Sequence, residues 1–373
     1  GDADNFAAQR AGLEVAASPF WSRKVFMGLP SHIEAPCGRE LLSAADGWTV
    51  FNVDPEGCMD IDDCIAIRGD EVAICIADVD AAVPAGGRVD EYAQLTAQTI
   101  YRDGFAVRPM LPLALSESGC SLIADAVRPV VALRFTVRDG TICDMSFNAI
   151  NIINGRSYTY EEAAESDHLK TLLGPLLGVL CRESGDSHEW IAAAMKLYNL
   201  EAAKVLVERG MGILRGHAGV KRERYEALAA FLGSDVAARL ASEAATYSLV
   251  GSGATHAGFD GSVYCHATSP IRRYADLVNQ RVLKGCGYSA MPSLIYTLNV
   301  RAKAAKEYER ACAFMVALAA PVKEVDVVVV GDGKAYVPAW NRLIKYDGAQ
   351  GKVRYFYDAT KPKWSQRLVF EPV

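Results

Sequence analysis

The stretch FNVDPEGCMDIDDCIAI, residues 51–67, places Asp54, Asp60, Asp62 and Asp63 within ten positions, among Val53, Ile61, Ile65 and Ile67. Ionised carboxylates in apolar surroundings are costly unless something pairs them. A fold that buries this strand must therefore bring positive charge to it. Asp60 and Asp62 are two apart, so on an extended segment they share a face. Asp63 reaches the same point if the chain bends, and Asp54 enters from the preceding loop, beside Pro55 and Gly57. Four converging carboxylates repel each other and raise each other's pKa values. A hard divalent cation, Mg²⁺ or Mn²⁺, relieves that repulsion. Two such ions about 4 Å apart are the usual machinery for in-line attack on a phosphodiester. The alternatives are a solvated acidic turn and an EF-hand. The EF-hand fails on spacing, because no D-x-D-x-D-G core leads to its closing Glu. The apolar flanks favour a metal site over the turn.

The 373 residues suffice for one large domain or two ordinary ones. With 51% hydrophobic and 23% charged residues, the chain buries a substantial core and is not disordered. A net charge of −6 gives no sign of the broad basic face common in nucleic-acid binders, although a local basic channel is compatible with it. None of the ten cysteines forms a C-x-x-C pair or sits at zinc-ligand spacing from a histidine. Several, such as Cys75 in VAICIADV, fall in strand-like apolar runs, as buried free thiols of a reducing compartment do. The cytoplasm is the expected location, with the mitochondrion as the alternative. No run of about 18 apolar residues predicts a membrane span. The opening GDADNFAAQR has no apolar signal core and reads as the cut end of a mature chain.

Residues 1–46, with a helical stretch DNFAAQRAGLEVAA and loop signals at Pro19, Pro30, Pro36 and Gly38, read as an N-terminal arm. From 48 to 150, WTVFNV, CIAIRGDEVAICIADV and VRPVVALRFTVRDGTICDMSF read as strands, with hairpin breaks at RGDE and RDGT. Residues 89–104 (VDEYAQLTAQTIYRDG) interrupt them with helical spacing. From about 159 to 320 helical periodicity dominates, in SHEWIAAAMKLYNLEAAKVLVERG, RYEALAAFL, SDVAARLASEAATYSLV and NVRAKAAKEYERACAFMVALAA. Pro321 closes that region. The tail VDVVVV, KAYVPAW, NRLIKY, KVRYFY and QRLVF reads as a small β-barrel. The expected class is α+β: an arm (1–46), a mixed sheet flanked by helices (47–320), and an all-β C-terminal domain (321–373).

A second chemical stretch is HATSPIRRYADLVNQRVL, 266–282. Thr268, Ser269 and Pro270 form a plausible helix start. Arg272 and Arg273 then lie near a helix N-terminus, which favours anions, and guanidinium forks suit phosphate oxygens. The competing expectation is that both arginines pair with Asp276. A third stretch, TIYRDGFAVRPMLPLALSESGCSL (99–122), carries Tyr101. Aromatic rings stack on bases of single strands, although an aromatic residue is more often core.

Taken in order, these stretches resemble the catalytic domain of the ribonuclease II / ribonuclease R (RNB-domain) family. The matching residues are DPEGCMDIDD (54–63), IADVDAAV (76–83), RPMLPLALSESGCSL (108–122) and TSPIRRYADL (268–277). Weaker matches are SYTYEEA (157–163), AMKLYNLEAA (194–203) and LRGHAG (214–219). The resemblance spans about residues 48–320. It implies a metal-dependent 3′-to-5′ exoribonuclease that hydrolyses single-stranded RNA to nucleoside 5′-monophosphates. Asp54, Asp60, Asp62 and Asp63 take the metal-binding places, with Asp62 catalytic. Tyr101 matches a tyrosine that stacks on a base near the 3′ end, and Tyr160 a second aromatic beside the RNA. Arg272 matches an arginine at the scissile phosphates, with Arg273 beside it as a further RNA contact.

Three departures stand out. Cys75 occupies a place where a histidine is usual. Ala192 or Ala193 stands where the family has a glutamate in the RNA channel. The forty-odd N-terminal residues cannot hold two cold-shock domains, and the tail is a shortened or degenerate S1/OB-like barrel. Protein partners could replace the missing RNA-binding domains. Two rival expectations follow: an RNB-like scaffold, weak or inactive in catalysis, that binds RNA or a protein complex, and a phosphodiesterase of small substrates.

Overall fold

The computed structural model of the chain describes residues 34–102, 105–181, 186–287, 290–319, 323–358, 360 and 368–373. The expected N-terminal helix and Pro321 lie outside these residues. The chain divides into two compact units, one of residues 14–216 and 246–305, the other of 1–13, 217–245 and 306–373.

The larger unit is built on β1 (Leu41–Leu42), β2 (Thr49–Asp54), β3 (Asp63–Arg68), β4 (Glu71–Ala77), β5 (Ile100–Arg102), β6 (Phe105–Arg108), β7 (Val127–Arg138), β8 (Thr141–Ile153), β9 (Arg156–Thr159), β10 (Ile213–Gly216) and β11 (Thr246–Leu249). A mixed seven-stranded sheet runs β1-β8-β7-β4-β3-β2-β9, with β5–β6 and β10–β11 as separate antiparallel ladders. The expected strand runs and both hairpin breaks are where the sequence puts them. Among the described residues of the whole chain the helices are α1 (Arg88–Thr96), α2 (Tyr160–Glu165), α3 (Asp167–Leu180), α4 (Ser187–Glu208), α5 (Arg222–Leu232), α6 (Ser234–Ala241), α7 (Tyr274–Leu283) and α8 (Pro292–Ala319).

Three expectations are corrected. The helix expected over 89–104 stops at Thr96: Ala97 turns to φ +64, and Ile100 to Arg102 become a strand. The helix expected through SDVAARLASEAATYSLV stops at Ala241, and Thr246–Leu249 pair with β10. There the Asn299 side chain bonds both the N–H and the carbonyl of Tyr247, supplying partners that a helix would otherwise provide. The helix expected to begin at Thr268–Pro270 begins at Tyr274, for reasons given with the site.

Both faces of the sheet are covered, so its strands read as continuous apolar runs rather than alternations. The two faces nevertheless differ in residue size. Phe51, Ile65, Ile67, Ile74, Ile76 and Leu133 face a core shared with α2, α3 and α4. Cys64, Ala66, Ala73, Cys75, Ala77 and Ala132 face the other, against Met110, Leu111, Tyr274 and Val278. Small side chains on that second face let α7 approach closely. All ten residues of α7 are buried, including Asp276, Asn279, Gln280 and Arg281. Each of these four polar groups is bonded. Asn279 holds the N–H and carbonyl of Ile213, Gln280 holds the carbonyl of Ala77, and Arg281 reaches Asp80, Asp90 and the carbonyl of Val83. Buried polar groups satisfied to this degree fix one arrangement.

The smaller unit is an all-β region consistent with an OB-like barrel, sharing its unit with α5 and α6. Its strands are β12 (Glu324–Gly331), β13 (Lys334–Val337), β14 (Arg342–Lys345), β15 (Gly351–Tyr357) and β16 (Leu368–Pro372), in the order β14-β13-β12-β15-β16. Val325, Val327, Ala335, Val337, Val353 and Tyr355 form its core, and Trp340 packs edge-on against Phe314 and Tyr355.

Candidate active site

The carboxylate loop spans the end of β2 and the start of β3. Asp54 closes β2, half-buried, and accepts a hydrogen bond of 2.9 Å from the Asn52 amide. Pro55 and Gly57, the latter at φ +77, then turn the chain back. Ser121 pins the return. Its hydroxyl accepts from the Ile61 N–H at 3.0 Å and donates to the Met59 carbonyl at 2.7 Å, while the Leu122 N–H donates to the Ile61 carbonyl. Asp62 is 5% exposed, and Asp63 opens β3 opposite Ile76.

The loop ahead of α7 meets these carboxylates. Asp62 accepts the Ile271 N–H at 2.9 Å, and the Arg272 guanidinium lies 3.4 Å from its other oxygen. Asp276 accepts the Ser269 N–H at 2.8 Å. The Tyr274 N–H donates to the carbonyl of Ala97, the Thr99 N–H to that of Arg272, and Gln98 bridges Arg273. Amides that would have started a helix at Thr268–Pro270 are therefore taken by carboxylates and by a passing strand, which delays the helix to Tyr274. They are not free to receive a phosphate. The two arginines also part company. Arg272 is 45% exposed, whereas Arg273 forks onto both oxygens of Asp276 at 2.8 and 3.0 Å. Arg273 follows the expectation of pairing with Asp276, and its guanidinium anchors the start of α7.

The same backbone bonds tie Tyr101 to Arg272. Tyr101 lies in β5, just past the residues held by the Arg272 loop, and its hydroxyl donates to Asp60. Tyr160 follows Thr159, the parallel-ladder partner of Asp54, and is the first residue of α2. Its ring stacks on that of His188, with centroids 3.7 Å apart and planes 16° from parallel. The Ser187 hydroxyl donates to the Tyr160 carbonyl at 2.7 Å and joins the starts of α2 and α4.

Asp54, Asp62 and Asp63 are held away from their ordinary ionisation. Burial pushes the Asp62 carboxyl up to about 7, although Arg272 and the Ile271 N–H pull it down. Burial lifts Asp63 well above the usual range, reinforced by the charges of Asp54 and Asp62. Burial lifts Asp54 too, against hydrogen bonds from Asn52 and Cys58, and the Asp60 charge adds to the rise. Among the described residues no group of three or more His, Cys, Asp or Glu side chains is placed to hold a metal ion as it stands. The donor set still fits one. Asp54, Asp62 and Asp63 are hard oxygen donors whose charge is raised in energy by burial, and Arg272 is the one cation that lowers all three.

All eight residues expected at the site are thus placed. Asp54, Asp60, Asp62, Asp63, Tyr101 and Arg272 are brought together, Tyr160 borders them, and Arg273 is committed to Asp276. Asn52, Ser121 and His188 were not singled out. An asparagine inside the apolar run TVFNVD was the available signal for Asn52. Ser121 and His188 gave none, because their partners are 60 and 28 residues away in sequence.

Comparison with known proteins adds to this geometry. The RNB domain model matches residues 43–171 and 165–286. Exoribonuclease 2 of Escherichia coli is 28% identical over 329 aligned residues, covering 66% of this chain and 50% of that protein. The chain spans about half the length of the curated relatives it matches. Among solved structures, apo RNase R of Mycoplasma genitalium superposes with a TM-score of 0.75 at 15% identity, covering 99% of this chain and 77% of that one. Yeast Ssd1, described as a pseudonuclease, superposes at 0.69 with 13% identity, covering 87% and 52%. These structural likenesses concern the fold.

Proposed function

The chain belongs to the RNB-domain family, and on that premise we propose that it is a 3′-to-5′ exoribonuclease hydrolysing single-stranded RNA to nucleoside 5′-monophosphates. The observation that carries the proposal is the approach of Arg272 to Asp62, which sets a half-exposed guanidinium against a buried carboxylate flanked by three half-buried ones. Mycoplasma genitalium RNase R has been solved with single-stranded RNA, and the same substrate class suits this site.

Asp54, Asp60, Asp62 and Asp63 would hold two Mg²⁺ or Mn²⁺ ions. Such ions, when bound, lower the pKa of water and neutralise charge at the phosphate. The chain's own groups do the rest. Asp62, fixed by the Ile271 N–H, orients what binds between the carboxylates. Arg272 contacts the scissile phosphate and offsets charge developing on its oxygens. Tyr101, its hydroxyl held by Asp60, offers its ring to a terminal base and admits only an unpaired strand.

The test is a gel assay with 5′-labelled single-stranded RNA, Mg²⁺ or Mn²⁺, and an EDTA control. The expected result is a ladder shortening from the 3′ end that EDTA abolishes. Binding without cleavage by the native chain would replace the nuclease with an RNA-binding scaffold. Cleavage of a dinucleotide but not of a long strand would replace it with a small-substrate phosphodiesterase.

A further inference from the structure

We infer that His188 extends Tyr160 into a two-ring platform, on whose outer face a base of the RNA strand stacks beside the carboxylates. The inference rests on the nuclease reading and concerns how that site grips its strand. His188 is exposed, while Tyr160 beneath it is half-buried. At 3.7 Å and 16° the two rings are in full contact, so a base cannot enter between them. One face of the imidazole is covered by Tyr160, and the residue as a whole remains exposed.

The platform is anchored and correctly placed. Thr159 pairs with Asp54 in the β2–β9 ladder and caps α2 with its hydroxyl, so Tyr160 stands one residue beyond the ladder partner of a carboxylate. The bond from Ser187 to the Tyr160 carbonyl holds the start of α4 against α2, and buried Trp190 and Ile191 fix the first turn of α4 in the core. The stack therefore does not depend on the two rings for its position. An exposed aromatic pair gains little by stacking in water, whereas a third ring laid on a rigid pair loses little freedom on binding. Stacking on an aromatic face is worth about 1–3 kcal/mol per base and tolerates any base.

The experiment measures binding by fluorescence anisotropy in EDTA, with a labelled single-stranded oligoribonucleotide and copies abasic at successive positions from the 3′ end. His188→Ala is expected to weaken binding about ten-fold, equivalent to about 1.4 kcal/mol. His188→Phe is expected to restore it. One abasic position should weaken the native chain by a similar factor and His188→Ala no further, the signature of a lost pairwise contact. Unchanged binding by His188→Ala, failure of Phe to restore it, or no abasic position silent in the Ala background would overturn the platform. Tighter binding by His188→Ala would overturn it in the opposite sense, making His188 a plug over Tyr160. If the native chain holds no RNA, the nuclease reading falls first, and that arm reports it separately.

Discussion

Two acidic clusters of the larger unit, each mixing buried and half-buried aspartates, invite comparison. Asp78, Asp80 and Asp90 meet Arg39, Arg281 and Lys284 in a network of equal and opposite charge, with contacts of 2.7–2.9 Å. Among the described residues, the one ion pair of Asp54, Asp60, Asp62 and Asp63 is that of Arg272 with Asp62. The ionisation of Asp80 moves in the opposite direction to that of Asp54, Asp62 and Asp63. Burial lifts Asp80, but hydrogen bonds from Lys284 and Arg281 more than reverse it and leave its carboxyl below the usual range. Asp54, Asp62 and Asp63 all remain above it. Burial alone therefore does not mark a functional carboxylate. A cluster whose cations are supplied by the chain holds the fold together, and one left short of cations is suited to receive them from outside.

The largest effect should come from unbalancing the neutral cluster. Arg281→Leu removes the ion pair of Asp90 and leaves Asp80 with Lys284 alone, and is expected to lower unfolding stability by about 3–5 kcal/mol, read from a urea titration. A smaller loss than Asp62→Asn causes in the same titration would break the comparison. In the other cluster, Asp62→Asn is expected to reduce single-turnover RNA hydrolysis by roughly 10²–10³-fold while RNA affinity is retained. Undiminished turnover would remove Asp62 from its catalytic place. Mg²⁺ at a hundred-fold excess over its Kd should then raise the melting midpoint on the order of 5 °C, and Asp63→Asn should abolish that rise. An equal rise in Asp63→Asn would place the ion elsewhere. The smallest effect separates the clusters by pH. A carboxyl with a depressed folded pKa contributes stability above its unfolded pKa and loses it as pH falls through the folded value. Asp80 should therefore contribute to acid unfolding, and Asp80→Asn should flatten the low-pH limb of the stability curve.

Much of this was legible before any fold was known. Strands β2, β3, β4, β7 and β8, their hairpin breaks and the five strands of the tail follow from local apolar patterning and turn residues and appear where expected, whereas the short edge strands β1 and β9 were not among the expected runs. Helices α4, which gives way to Gly210 at φ +65, and α5 also appear where expected. The failures share a cause. Residues 99–102 and 246–249 have helical spacing, yet partners distant in sequence, the Arg272 carbonyl at Thr99 for the first and β10 with Asn299 for the second, hold them as extended chain. The start of α7 was displaced in the same way, by Asp62 and Asp276.

By itself the sequence determined that this chain would carry an acidic loop inside a β-rich core, since four aspartates among buried aliphatics admit few other outcomes. The family resemblance singled out Arg272, but only the tertiary structure gave the physical reason why it, and not the adjacent Arg273, faces that loop. Arg272 and Arg273 are chemically equivalent in sequence, but Asp276 is within reach of one and Asp62 of the other, and that assignment depends on where α7 begins. Charge pairing depends steeply on separation and burial, and both are properties of the folded chain.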